Sequence, residues 1–166
     1  AGLAAGLASF EDGDFNNWDR MIDTNIKGLV YVSKLAIPFL LKSENPHIIN
    51  IGSIAGKEVY SLGNVYCATK HAVDALNRSM RLDLAKFPIK VSQIAPGAVE
   101  TEFSIVRFDG DEERAKKVYE GFENLIADDI ADALWYIVSR PKHVNINDLV
   151  IMPTAQPMAG LIHRKN

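Results

Sequence analysis

Cysteine is almost absent: Cys67 is the only one in 166 residues. No internal disulfide can form within this sequence, so a disulfide-stapled scaffold is excluded and a reducing compartment, the cytoplasm, is expected. Positive charge is not in excess either. Eighteen Lys and Arg against 21 Asp and Glu leave a net charge of −3, without the basic footprint of a nucleic-acid binder. No apolar run approaches the roughly eighteen residues that span a membrane, so no membrane contact is expected. The four histidines, His47, His71, His143 and His163, stand at no metal-ligand spacing from one another or from Cys67, and no metal site is expected. The 11 glycines are scattered, and no glycine-rich turn follows an opening strand to cradle a phosphate.

What is present suffices for one domain, residues 1–166. A hydrophobic content of 48% and a charged content of 23% are those of an ordinary globular chain of a length that buries a real core. Residues 1–10 are small and apolar, a loop leaving a strand. Asp14 to Lys42 reads as one long helix with Met21, Ile22, Ile26, Leu29, Val30, Val32, Leu35 and Ala36 on its apolar side. Pro38 distorts its last turn and Asn45-Pro46 breaks it. Residues 47–52 form a buried strand ending at glycine and serine. A helix follows through Tyr66, Val73, Leu76, Met80 and Leu84, stopped at Phe87-Pro88, and residues 90–95 make the next strand. Residues 101–124 are polar, a solvated helix-loop placed to act as a flap. Asp128 or Asp129 caps a helix that Pro141 stops, and residues 148–152 are a last strand. This alternation predicts the α/β class, a doubly wound parallel sheet of Rossmann-like type.

The chemistry concentrates in Tyr66-Cys-Ala-Thr-Lys70 and in Ser53, thirteen residues upstream. Positions i and i+4 share a helix face, so the Tyr66 hydroxyl and the Lys70 ammonium lean toward a common point. A cation near a phenol favours the phenolate and brings its pKa toward working pH, which general acid–base catalysis requires. A serine at a strand end adds a hydroxyl donor aimed at a carbonyl or alkoxide oxygen. Together they describe proton transfer in alcohol/carbonyl interconversion, which needs a hydride partner. Cys67 turns about 100° away from Tyr66 along the helix and is not expected to react. Arg107, in the flap, offers a planar fork suited to a substrate carboxylate.

Ser53, Tyr66 and Lys70 resemble the catalytic set of the short-chain dehydrogenase/reductase family. Three further segments agree. Asn25, in Asp-Thr-Asn-Ile-Lys-Gly, is similar to the family's helix asparagine, which implies a catalytic and cofactor-side role through a water joined to the lysine. Pro96-Gly97-Ala-Val99-Glu-Thr101 resembles the segment that contacts the nicotinamide carboxamide. Ala1-Gly2 resembles the tail of the family's Asn-Asn-Ala-Gly stretch. The resemblance therefore implies cofactor contacts at Ala1, Gly2, Asn25, Tyr66, Lys70, Pro96, Gly97, Val99 and Thr101, and substrate contacts at Ser53, Tyr66 and Arg107. Members of the family open with a strand, a glycine-rich turn and a helix, none of which is here. The chain is accordingly expected to be the carboxyl-terminal two-thirds of such an enzyme, and to bind NAD(P) weakly by itself.

Residues 101–110, and 145–156 through His163-Arg164, resemble the branch that oxidises serine and other 3-hydroxy acids with NADP. The expected activity is hydride transfer between NADP (NAD not excluded) and a secondary alcohol, a 3-hydroxy acid such as serine or 3-hydroxypropanoate. Alternatives are a short-chain reductase of another ketone (acyl-carrier, sugar or steroid) and a truncated, non-catalytic interaction chain. Relatives in the family imply a homotetramer, in which the helices over 14–42 and 66–86 meet their counterparts; both carry apolar residues on more than one face.

Overall fold

The computed structural model describes residues 2–165. Three parallel strands form a sheet in the order β1-β2-β3: β1 is His47–Ile51, β2 Lys90–Pro96 and β3 Leu149–Ile151. His47 pairs with Lys90 and Ile51 with Ile94, while Ile94 to Pro96 pair with Leu149 to Ile151. The central strand, buried in all but its first residue, holds the sheet together. The Gly52 amide extends the β1–β2 ladder, donating to Ile94 O at 2.7 Å. Helices flank this sheet in the Rossmann-like manner the alternation predicts.

The long helix expected over 14–42 is three segments in series. Asp14 caps α1, Phe15–Ile22, accepting from the Asn16 amide at 2.9 Å. A π-helical turn, Asp23–Gly28, follows, and α2 then runs Leu29–Leu40 with Pro38 inside it. The interruption coincides with Asn25, a buried polar residue that helical periodicity alone cannot flag. Its carboxamide pairs with both backbone groups of Leu3, accepting from N at 2.7 Å and donating to O at 2.8 Å, and donates to Thr69 Oγ1 at 3.0 Å.

After β1 comes one 3₁₀ turn, Ile54–Gly56, and then α3, Asn64–Asp83. The polar stretch 101–124 holds two short helices, α4 (Phe103–Arg107) and α5 (Glu112–Tyr119), joined through Asp109 and Gly110 in left-handed conformations. The last helix, α6, is Ala127–Val138. Asp129 does not precede it as a cap. It sits in the first turn, at the third helical position, and reaches back to accept the N-cap residue's own amide, Ile126 N, at 2.8 Å.

One core cluster gathers Ala4, Ala5, Met21, Ala55, Tyr66 and Cys67 beneath the opening loop. A second, Leu84, Ile89 and Val91, seals the far end against Ile37, Leu40, Met80 and Phe87. The first cluster contains Tyr66, so packing that stabilises the domain also sets the phenol's position.

Candidate active site

The carboxyl ends of β1 and β2 open onto a cleft of about 360 Å³, where open α/β sheets place their ligands. Ser53, Tyr66, Lys70 and Arg107 all line it, as do Gly2, Pro96, Gly97, Val99 and Thr101. Residues from five separate stretches thus converge on one cleft. Asn25 does not reach the cleft; it lies behind Gly2 and Leu3, tying the opening loop to α3. Ala1 lies outside the described residues.

Ser53 has two tasks. Its hydroxyl accepts from the Ala55 amide at 3.1 Å, capping the 3₁₀ turn, and donates to Pro96 O at 3.4 Å. The turn backs directly onto α3: a Cβ on Gly56 would lie 2.5 Å from the Lys70 carbonyl oxygen, so only glycine permits that approach. Tyr66 is 8% exposed, with its ring 5.8 Å from Phe103. Burial pushes its phenol well above the ordinary value, Tyr60 adds to this, and the Ser53 hydroxyl and Arg107 guanidinium work against it.

Lys70 is buried beside the same ring. It is 4% exposed, and its ammonium donates to Ile51 O at 3.1 Å while lying 5.9 Å from the Tyr66 ring centre. The Arg107 guanidinium lies at a similar distance, 5.6 Å above the same ring, and works to lower the phenol's pKa. Burial brings Lys70 itself down to about 8. Gly2 covers the ammonium, and a Cβ there would approach Lys70 Nζ to 2.9 Å.

Arg107 is held rather than free. Its Nε donates to Gly6 O at 3.0 Å and Nη1 to the Tyr60 hydroxyl at 3.2 Å, while its own carbonyl accepts the Gly6 amide at 2.9 Å. Two donations leave three of the guanidinium's five N–H groups for other acceptors. In the loop 60–64, Tyr60 lines the cleft, while Leu62, Gly63 and Asn64 line a neighbouring hollow of about 140 Å³ behind Tyr66 and Arg107.

Two further lining residues, Gln156 and Tyr119, lie outside the expected site set. Gln156, 5% exposed, accepts the Ala98 amide at 2.8 Å and fixes the segment after β2. Tyr119 donates to Val99 O at 3.0 Å and meets Ser104 Oγ at 2.7 Å, tying the flap to that same segment. Nothing in their local spacing marks them, because their partners are distant in the chain. Among the described residues, no group of three or more His, Cys, Asp or Glu could hold a metal ion, and no helix is long and apolar enough to cross a membrane.

Comparison with known proteins agrees with this geometry. The family profile described as short chain dehydrogenase matches residues 1–112. The chain is 46% identical over 166 residues to the NADP-dependent 3-hydroxy acid dehydrogenase of Salmonella typhi, covering 99% of this chain and 67% of that protein. It is 44% identical over 167 residues to the protein of the same description from Escherichia coli K12, again covering 99% and 67%. Among solved structures, the closed form of serine dehydrogenase complexed with NADP+ superposes with a TM-score of 0.92 at 44% identity, over 99% of this chain and 67% of that one. A parallel sheet with its cleft at the strand ends, matched by sequence and by shape, places this chain in the short-chain dehydrogenase family, as an oxidoreductase. It spans about two thirds of the length of these relatives.

Proposed function

We propose that this protein oxidises the CH–OH group of a 3-hydroxy acid such as serine or 3-hydroxypropanoate, with NADP as the hydride acceptor. The observation that carries the reading is the convergence of Ser53, Tyr66 and Lys70 on one cleft with the Arg107 guanidinium above the Tyr66 ring.

The residues present fit a nicotinamide cofactor. A buried ammonium with Ile51 O as its acceptor among the described residues retains two N–H donors at the cleft, a donor set suited to ribose hydroxyls. Lys70 and Gly2 would hold that end, and Pro96, Gly97, Val99 and Thr101 the carboxamide end. When bound, the cofactor supplies the site that takes the hydride. Asn25 positions the Gly2-Leu3 segment over Lys70.

The chain's own residues then handle the proton and the acid. Ser53 donates to the substrate oxygen, which is alcohol in one direction and carbonyl in the other. Tyr66 takes the hydroxyl proton as the C–H electron pair leaves and the C=O bond forms, and returns it in the reverse reaction. Burial keeps the Tyr66 phenol protonated near neutral pH, so the oxidative direction, which needs the phenolate, should quicken as pH rises. The free donors of Arg107 take the substrate carboxylate, a charge-assisted contact that an uncharged alcohol lacks.

The homotetramer and the cytoplasm belong to the same reading. On α2, Val32, Leu35 and Phe39 are 68%, 70% and 73% exposed, an apolar stripe that a neighbouring subunit would cover. A single buried cysteine suits a reducing compartment.

The test is NADPH formation by the full-length protein over serine, 3-hydroxypropanoate, their methyl esters and a panel of neutral secondary alcohols. Acids are expected to exceed their esters in kcat/KM by about tenfold or more, and Arg107→Leu to remove that preference through KM. Turnover confined to neutral ketones or alcohols would favour the reading as another ketoreductase.

A further inference from the structure

Away from the cleft, a compact ion cluster joins the elements that the reaction needs in register. Lys57 follows the 3₁₀ turn, and its ammonium is paired with both Asp74 of α3 and Asp148, the residue before β3. Gln93 of β2, 1% exposed, donates to both carboxylates, at 2.9 Å to Asp74 Oδ1 and 3.3 Å to Asp148 Oδ1. Arg78 engages the second Asp74 oxygen at 2.9 Å. Burial tends to raise the Asp74 carboxyl, but the hydrogen bonds from Lys57 and Gln93 outweigh it and hold the group below its ordinary range. Side-chain exposures of 17% for Lys57 and 13% for Asp74 separate this cluster from a loose surface pair.

Its location gives it a bearing on the reaction. Lys57 closes the turn that begins at Ser53: the Gly56 amide donates to Ser53 O and the Lys57 amide to Ile54 O, both at 2.9 Å. Asp74 lies one helical turn beyond Lys70 on α3. Between them, Gly56 abuts the Lys70 carbonyl. The ion pair therefore spans the same turn-to-helix contact that sets Ser53 against Tyr66.

We propose that Lys57, bridged to Asp74 and Asp148, is a positioning residue that holds the Ser53 turn in register with Tyr66 and Lys70. The proposal rests on those three as the reacting set and on no particular substrate. Displacements of about 1 Å in a reacting constellation cost up to about a hundredfold in rate, which is the range at stake.

Two variants of the full-length enzyme test it. Lys57→Met leaves two carboxylates facing each other without their shared cation, so its Tm should fall. Lys57→Met/Asp148→Asn removes one charge of each sign and leaves Asp74 paired with Arg78, so its Tm should return close to the parent's. The tie between turn and helix is still cut in the double variant. Its kcat, read where it is fully folded, should stay about tenfold or more below the parent's while KM for NADP stays within about twofold. Amide hydrogen exchange at Ala55, Gly56 and Lys57 should quicken by about tenfold. Recovery of kcat along with Tm, or unchanged exchange at those amides, overturns the proposal and reduces Lys57 to a neutraliser of two carboxylates. A parent enzyme that oxidises no 3-hydroxy acid defeats the functional reading instead, and the exchange measurement alone then decides about Lys57.

Discussion

Replacing Lys70 by Met should stabilise the protein near neutral pH while destroying its activity. Burial holds the ammonium at about 8 against an ordinary 10.5, so the charged form is disfavoured in the fold by about 3 kcal/mol. Met keeps most of the apolar stem and removes that charge. It also removes the bond to Ile51 O, worth about 1 kcal/mol, on a residue open enough for water to take the carbonyl. The net gain at pH 7 is then about 2 kcal/mol. The pH dependence gives the sharper signature. Below pH 8 both folded and unfolded Lys70 are protonated, and this residue contributes no slope. Between pH 8 and 10.5 the unfolded chain binds the extra proton, so the parent's stability rises with pH. From pH 8 to 10 this residue alone adds about 2 kcal/mol to the parent and nothing to the variant. Urea unfolding of both proteins without cofactor, from pH 7 to 10, measures the difference directly. A Met variant less stable than the parent at pH 7, or a difference that stays constant across the range, would refute the argument that Lys70 is held charged against its surroundings.

Tyr66→Phe deletes one hydroxyl from a ring packed on Phe103, so the site should keep its shape and NADP affinity within about threefold while kcat falls by about 10²–10⁴-fold. Steady-state kinetics decides, and retention of more than about a tenth of kcat would assign proton transfer elsewhere. Gly56→Ala forces a methyl against the Lys70 carbonyl, backbone against which α3 cannot yield locally, and should cost about 1–3 kcal/mol by thermal or denaturant unfolding. The apolar stripe on α2 predicts a tetramer mass by light scattering of the full-length protein at micromolar concentration; a monomer would remove the argument from Val32, Leu35 and Phe39.

Local information was enough to find the pair proposed to react. Tyr66 and Lys70 share a helix face because four residues make roughly one turn, and Ser53 follows a strand that its apolar run marks, although only Asn50 of that strand is buried in this chain. The same periodicities predict three parallel strands and the helices between them, which bring Ser53 and the 96–101 segment to one end of the sheet. Proline and asparagine punctuation placed most boundaries to within a residue or two. The π-helical turn at Asn25 escaped it, because that turn answers to a buried carboxamide pairing with Leu3, twenty-two residues away.

Tertiary structure alone decided which charges act on which groups. Arg107 reaches Gly6 across 101 positions of chain, and from there its guanidinium bears on the Tyr66 phenol. Gln156 finds the Ala98 amide, and Lys57 finds Asp148, over comparably long separations. A pKa depends on burial and on charges within a few ångströms in space, and neither quantity is written in the spacing of residues along a strand or helix. The sequence determined which groups could do the chemistry; folding determined their neighbours, and with them the protonation states from which the chemistry starts.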